Sequence, residues 1–223
     1  MVENLSLCPA TALAVSVPKG EERPSRRVCG LQTTRDDLTK QKEEALDGTD
    51  SLCAKRPGPP EVKELYENCA GQFKLRDVPN VVKALANSPK LARRVFPLGD
   101  YFMRESTLDP RLRELAVLTL MNRLHCNYGF VRHIPIAEHT GISRAQIDTI
   151  APYATSGLFS SDDKEIIKYA EDLTLKGQVD DELYRRVQDR IGQQHLLDLT
   201  AAIAFWNMMA RNLNALKIDL EDW

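Results

Sequence analysis

The sequence predicts an all-α fold, and three observations support this. From Pro60 onward, apolar residues recur every three to four positions, as they do along one face of an α-helix. No stretch of four or more residues alternates apolar and polar side chains with β-branched enrichment, so no β-strand competes. Capping residues and helix breakers stand at the ends of the periodic segments: Ser88 before Pro89, Ser143 with Gln146, and Gly141, Gly177 and Gly192.

The first 58 residues differ in composition from the rest, since they are rich in Pro, Ser, Thr and charged side chains. We expect residues 1–58 to form a mobile or disordered extension, or an arm that docks on a neighbouring subunit. Residues 59–223 are expected to form one folded domain. The apolar run over 10–17 lacks a preceding basic region and makes a poor secretory signal.

The helical pattern divides the domain into nine segments. Asp109 followed by Pro110 is typical of a helix start, and bends are expected at Pro97 and Pro135. The last segment is apolar on most sides, which places it at the centre of the core or between subunits. The predicted helices cover 61–73, 78–87, 90–105, 110–124, 126–139, 144–150, 161–176, 181–191 and 194–216.

Charge and composition argue against several classes of protein. The net charge is −2, with no basic stripe, and aromatic residues make up 6% of the chain, so nucleic-acid binding is not predicted. The longest apolar run, near the C-terminus, is interrupted by Asn207 and Arg211 and is too short for a membrane span. Five scattered cysteines do not make a disulfide framework, which favours a reducing, cytoplasmic compartment.

Glu114, Cys126 and His133 form the most informative pattern in the chain. Glu114 shares its helix face with apolar residues, so we expect a buried carboxylate whose pKa is raised by desolvation. Cys126 and His133 lie seven positions apart and should face the same way. A thiol at a helix N-terminus is expected to favour the thiolate. Gly129, between them, indicates space for a ligand or for a close helix crossing.

Each of these residues also has a simpler interpretation. Cys126 could be a small core residue, His133 a hydrogen-bonded structural histidine, and Glu114 an ion-pair partner of Arg111 or of another arginine. A metal site is not predicted, because the spacing matches no His–Glu or paired-cysteine motif. No glycine-rich phosphate motif is present either, so no cofactor is expected.

In these residues the chain resembles the carboxymuconolactone decarboxylase family, which includes the alkyl hydroperoxidase D (AhpD)-like proteins. The family signature corresponds here to Glu114, Cys126, Gly129 and His133, and the resemblance extends over roughly residues 60 to 220. It implies an AhpD-like helical bundle that assembles into trimers or hexamers. The peroxidase branch carries a second cysteine where this chain has Gly129, so the chain looks like the decarboxylase-type branch instead.

The resemblance implies a decarboxylase-like lyase acting on a small carboxylated lactone or related carbonyl compound, in a catabolic or biosynthetic pathway. We expect His133 to act as general acid and base, Glu114 to orient it, and Cys126 to line the pocket. Tyr128 could donate to a substrate oxygen, and Arg211 could bind a substrate carboxylate or instead make an ion pair or subunit contact. A thiol-dependent peroxidase and a non-catalytic oligomeric protein are the alternatives.

Overall fold

The computed structural model describes residues 78–221, and every regular element among them is helical, which confirms the all-α prediction. The predicted helix over 61–73 and the proposed extension over 1–58 lie outside the described residues. Seven α-helices and one π-helix are found in this part of the chain. In order they are α1 Asn80–Leu85, α2 Pro89–Asp100, the π-helix Tyr101–Glu105, α3 Pro110–Arg123, α4 Asn127–His139, α5 Arg144–Asp148, α6 Ser161–Lys176 and α7 Asp181–Ala215.

Side chains at the helix starts explain several of these bounds. The Asp109 carboxylate accepts a hydrogen bond from the Arg111 backbone N–H at 2.8 Å, and Pro110 occupies the first turn of α3, as predicted. Ser143 and Gln146 form the predicted capping box of α5. Gly177 ends α6 in the left-handed region at φ 73°, where its missing side chain avoids strain.

Several predicted boundaries differ from the structure, whereas one predicted break is confirmed. The segment predicted as one helix over 90–105 changes at Tyr101 into a π-helix, in which the Ser106 N–H bonds the Tyr101 carbonyl five residues back. Cys126 caps α4 instead of belonging to it. The predicted break between the helices over 181–191 and 194–216 is confirmed: Gly192 interrupts α7 with non-helical angles, φ 81° and ψ 163°.

Helix α3 lies at the centre of the domain. Every residue from Arg113 to Met121 is buried, so the helix has no solvent-facing stripe along these turns. It packs against α4, α6 and α7, and α7 also packs against α6. The functional residues predicted on α3 and α4 therefore meet in the interior.

Within residues 78–221, no helix combines the length and apolar character that crossing a bilayer requires.

Candidate functional site

Glu114 and His133 meet in the contact between α3 and α4. His133 Nδ1 lies 2.8 Å from Glu114 Oε2, and the Glu114 side chain is completely buried. His133 Nε2 has no hydrogen-bond partner among the described residues, and 11% of the imidazole side chain remains exposed. A buried carboxylate therefore orients the ring through one nitrogen and leaves the other free for proton transfer.

The second oxygen of Glu114 is occupied by an arginine that the sequence analysis did not single out. Arg113 Nε lies 3.0 Å from Glu114 Oε1, and Arg113 Nη1 donates to the Phe102 carbonyl at 2.9 Å. The interpretation of Glu114 as an ion-pair partner is thus correct, but Arg111 is not that partner. Arg111 instead binds Asp163 on α6, with 3.0 Å between Nη2 and Oδ2.

The pKa of Glu114 is lowered, contrary to the expectation that desolvation would raise it. Burial by itself does raise this pKa, and it is the largest single influence. The attraction and hydrogen bond of His133, followed by those of Arg113, together outweigh burial. Glu114 is accordingly held as a carboxylate, which suits a residue that orients an imidazole and stabilises its protonated form.

Cys126 lies in the same part of the core and is 1% exposed. Burial raises the pKa of its thiol, and a hydrogen bond from the Gly129 backbone opposes this only in part. The expectation that the helix N-terminus favours the thiolate is therefore wrong here, because desolvation outweighs the hydrogen bond from the first turn of α4. Cys126 is thus a buried thiol held in its protonated form.

Gly129 provides room for a neighbouring side chain. A Cβ atom built on Gly129 would lie 2.3 Å from Met121 Sδ and 3.3 Å from Cys126 Sγ. The thioether of Met121 thus occupies the space that a larger residue at position 129 would need. Of the two explanations for this glycine, the close helix crossing is the one observed.

An aromatic cluster borders the imidazole. Trp206 on α7 meets His133 nearly edge to face, with ring centroids 5.6 Å apart and planes at 85°. Phe102 packs against Trp206 at 5.8 Å, and its carbonyl accepts the Arg113 hydrogen bond described above. The π-helix that carries Phe102 is therefore linked to the site through both its backbone and its side chain.

The two predicted substrate-binding residues have other partners in this structure. The Tyr128 hydroxyl donates to Glu221 at 2.6 Å, and burial followed by this bond raises the pKa of Tyr128. Arg211 is exposed and donates to the Asn207 side chain at 2.5 Å. Neither residue is hydrogen-bonded to Glu114 or His133.

The residues that sequence analysis missed carry a detectable signal. Arg113 has Ala116, Val117 and Leu120 three, four and seven positions downstream, the same apolar register that drew attention to Glu114. Trp206 and Phe102 were recognisable only as core residues, because their proximity to His133 depends on how the helices pack.

Across residues 78–221, no cluster of three or more His, Cys, Asp or Glu side chains is placed to hold a metal ion.

Residues 89–170 match the carboxymuconolactone decarboxylase family. This segment of the chain is similar to members of that family. The matched segment contains Glu114, Cys126 and His133, so the acid–base pair and the thiol all lie within the family region. A relative in Escherichia coli strain K12, the uncharacterized protein YnjA, is 31% identical over 117 residues, which is 52% of this chain. The chain spans 64% of the length of that relative.

Solved structures share the fold of the family. A peroxidase-related protein from Silicibacter sp. TM1040 superposes with a TM-score of 0.67 at 18% identity, over 77% of this chain and 90% of its own. A peroxidase-related protein with an alkylhydroperoxidase AhpD core, from Ralstonia eutropha JMP134, gives 0.65 at 18% identity, over 77% and 93%. A cysteine-to-alanine variant of the debrominase Bmp8, in complex with 2,3,4-tribromopyrrole, gives 0.65 at 14% identity, over 77% and 91%. At these identities the likeness establishes an AhpD-like fold.

Proposed function

We propose that this chain is a cofactor-independent lyase that decarboxylates a small carboxylated lactone or a related carbonyl compound, in a catabolic or biosynthetic pathway. The observation that carries the proposal is the pair of His133 and Glu114, with 2.8 Å between Nδ1 and Oε2 and with Nε2 left open. The match of residues 89–170 to the carboxymuconolactone decarboxylase family supports the reaction class.

The proposed reaction needs only proton transfer from this chain. When the bond to the substrate carboxylate breaks, CO₂ departs and the electron pair stays on carbon, delocalised into the neighbouring carbonyl as an enolate. Protonated His133 then donates its Nε2 proton to that carbon, and solvent restores the proton afterwards. Glu114 stabilises the imidazolium through Nδ1, and the Trp206 ring shields one side of the imidazole from water.

The remaining predicted site residues enter the proposal with defined roles. Cys126 lines the pocket as a neutral thiol, consistent with the raised pKa that burial causes. Arg211 binds the substrate carboxylate and Tyr128 donates to a substrate oxygen. Each of these two roles requires the side chain to exchange its present partner, Asn207 or Glu221, for the substrate.

The test is a screen of γ-lactone acids and β-keto acids for CO₂ release. We expect His133→Ala to lower turnover by at least about 100-fold, the smallest effect usual for a general acid or base, while the assembly state stays unchanged. His139→Ala is the matched control, because His139 is an exposed histidine at the end of the same helix and should be dispensable. Undiminished CO₂ release by His133→Ala would overturn the proposal.

A thiol-dependent peroxidase is the main catalytic alternative, and the family likeness to peroxidase-related proteins keeps it open. The buried Cys126 thiol, with Gly129 where a second cysteine would stand, disfavours it. Treatment of the native protein with a hydroperoxide, followed by denaturation, alkylation and mass spectrometry, separates the two hypotheses. Loss of alkylation at Cys126, with consumption of the hydroperoxide, would favour the peroxidase. The absence of both activities would favour a non-catalytic role.

We also propose that the chain forms a homo-oligomer, a trimer or hexamer, through the outer face of α7. Leu197 is 68% exposed and Met208 41% exposed, and they share one helix face with exposed Ala204. An apolar face of this kind is typical of a subunit contact. Light scattering should show an assembly, and Leu197→Lys should shift it toward the monomer. A wild-type monomer at micromolar concentration would refute this assembly.

A further inference from the structure

We propose that Arg113 is a positioning residue: by binding one oxygen of Glu114 it commits the other to accept the Nδ1 proton of His133. His133 Nε2 is then the atom that exchanges protons. The part of this inference that concerns substrate rests on the proposed function above, whereas the proton arrangement itself does not depend on any substrate.

The geometry of Arg113 fixes the direction of its hydrogen bonds. Arg113 is 4% exposed, and its Nε and Nη1 donate to Glu114 Oε1 and to the Phe102 carbonyl at 3.0 and 2.9 Å. A guanidinium has only donors and stays charged at every physiological pH. Glu114 Oε1 therefore acts as an acceptor, and the carboxylate turns its other oxygen toward His133 at 2.8 Å.

The alternative proton arrangement would disable the imidazole as a base at Nε2. If Glu114 carried a proton on Oε2, it would donate that proton to the Nδ1 lone pair of His133. A neutral ring would then carry its own hydrogen on Nε2, and the free lone pair would be lost. Glu114 is fully buried, and desolvation pushes it toward this protonated form, so a countercharge is needed to hold the carboxylate.

Arg113 is the group in position to supply that charge. From α3, Glu114 bonds the imidazole and Arg113 bonds Glu114. The thiol of Cys126, neutral because burial raises its pKa, lies in the turn between α3 and α4. From α7, the uncharged Trp206 packs against the ring. Among the described residues, Arg113 is thus the permanent cation bonded to Glu114, and after His133 it contributes to the lowered pKa of this carboxyl group.

The first test uses ¹⁵N-histidine NMR, which needs no substrate. The His133 signals are assigned by their loss in His133→Gln. In the wild type, the neutral ring should carry its proton on Nδ1. In Arg113→Met the lost positive charge lets the Glu114–His133 pair hold its proton more tightly, so the titration midpoint should rise by about 1 pH unit or more. Arg113→Lys, which keeps the charge, should stay close to wild type.

Exposed Arg185 on α7 offers the matched control, because Arg185→Met removes an arginine far from this network in sequence and should leave the midpoint unchanged. A wild-type ring protonated on Nε2 in its neutral form overturns the inference by itself, even if Arg113→Met fails to fold. An unchanged midpoint in a folded Arg113→Met also overturns it.

The second test applies once a substrate is found. The acidic limb of the kcat/KM profile should move to higher pH in Arg113→Met by the same amount as the NMR midpoint, with KM nearly unchanged. A purely structural role would lower the whole profile without moving the limb. If the NMR midpoint shifts but no lactone or keto acid is decarboxylated, the proposed function fails and the role of Arg113 stands.

Discussion

Replacing Gly129 with alanine tests the close crossing of α3 and α4. The new Cβ would lie 2.3 Å from Met121 Sδ and 2.7 Å from Met121 Cε, far inside van der Waals contact. Met121 is 1% exposed, so its thioether has no solvent to move into. The substitution must therefore displace a packed side chain beside Cys126.

Two opposing effects set the size of the change. Overpacking of this kind typically costs about 1–3 kcal/mol. Alanine recovers about 1 kcal/mol relative to glycine within a helix. The net expectation for Gly129→Ala is a loss of roughly 0–2 kcal/mol of unfolding free energy. Met121→Ala alone should cost about 2–5 kcal/mol, because it leaves a cavity. In the double variant the methyl group added at position 129 fills part of that cavity, so the losses should fall short of additivity by about 1 kcal/mol.

Urea unfolding of the wild type, the two single variants and the double variant measures this coupling. Circular dichroism should follow the transition, and equal m-values show that the unfolded states are comparable. Additivity of the two losses within about 0.5 kcal/mol would refute the contact between Gly129 and Met121. The contact would also be refuted if Gly129→Ala were more stable than the wild type by about 1 kcal/mol, the full gain expected from replacing glycine with alanine in a helix.

Three further predictions concern buried polar groups. Asp198→Ala removes a 6% exposed carboxylate that accepts two hydroxyl hydrogen bonds. It should lower the unfolding free energy measured in urea by about 1–3 kcal/mol. The control Asp189→Ala, at an exposed position, should lower it by less than about 0.5 kcal/mol. Arg111 holds the pKa of Asp163 below its ordinary value of 3.8 despite burial, so the stabilisation from this carboxylate is complete above that value and falls as the pH drops below it. The loss of unfolding free energy in Asp163→Asn should therefore be smaller at pH 3 than at pH 7, and an equal loss at the two pH values would contradict the ion pair. Native Cys126 should resist iodoacetamide at pH 7.5 in peptide mapping, and rapid labelling would contradict its raised pKa.

The sequence was sufficient for the fold class and for the burial of Glu114, because both follow from helical periodicity, which is a local property. Cys126, which caps α4, and His133, seven positions further along, are both buried. The apolar register of Glu114 predicted its burial, and the structure adds the 2.8 Å contact with His133. The capping residues predicted the starts of α3 and α5 because a cap is a contact between near neighbours in the chain.

What the sequence did not predict depends on contacts between distant segments. The pKa of Glu114 was expected to rise, since its second partner, Arg113, could not be recognised without the packing that buries both. The π-helix was missed because its wider turn has no clear pattern of residue types. Tyr128 was assigned to substrate, yet its hydroxyl meets Glu221, 93 positions away, which no local rule anticipates.

The number of residues in the π-helix over Tyr101–Glu105 sets how Phe102 is oriented toward Arg113 and Trp206. A π turn holds one residue more than an α turn, so deleting one residue there would let α2 continue without interruption. Because each residue of an α-helix advances by about 100°, everything after the deletion would rotate by that angle relative to α2. The Phe102 carbonyl and ring could then no longer meet Arg113 and Trp206 together. Deleting one residue between positions 101 and 105 would thus disturb the side chains packed around His133, although Glu114 and His133 themselves would be unchanged.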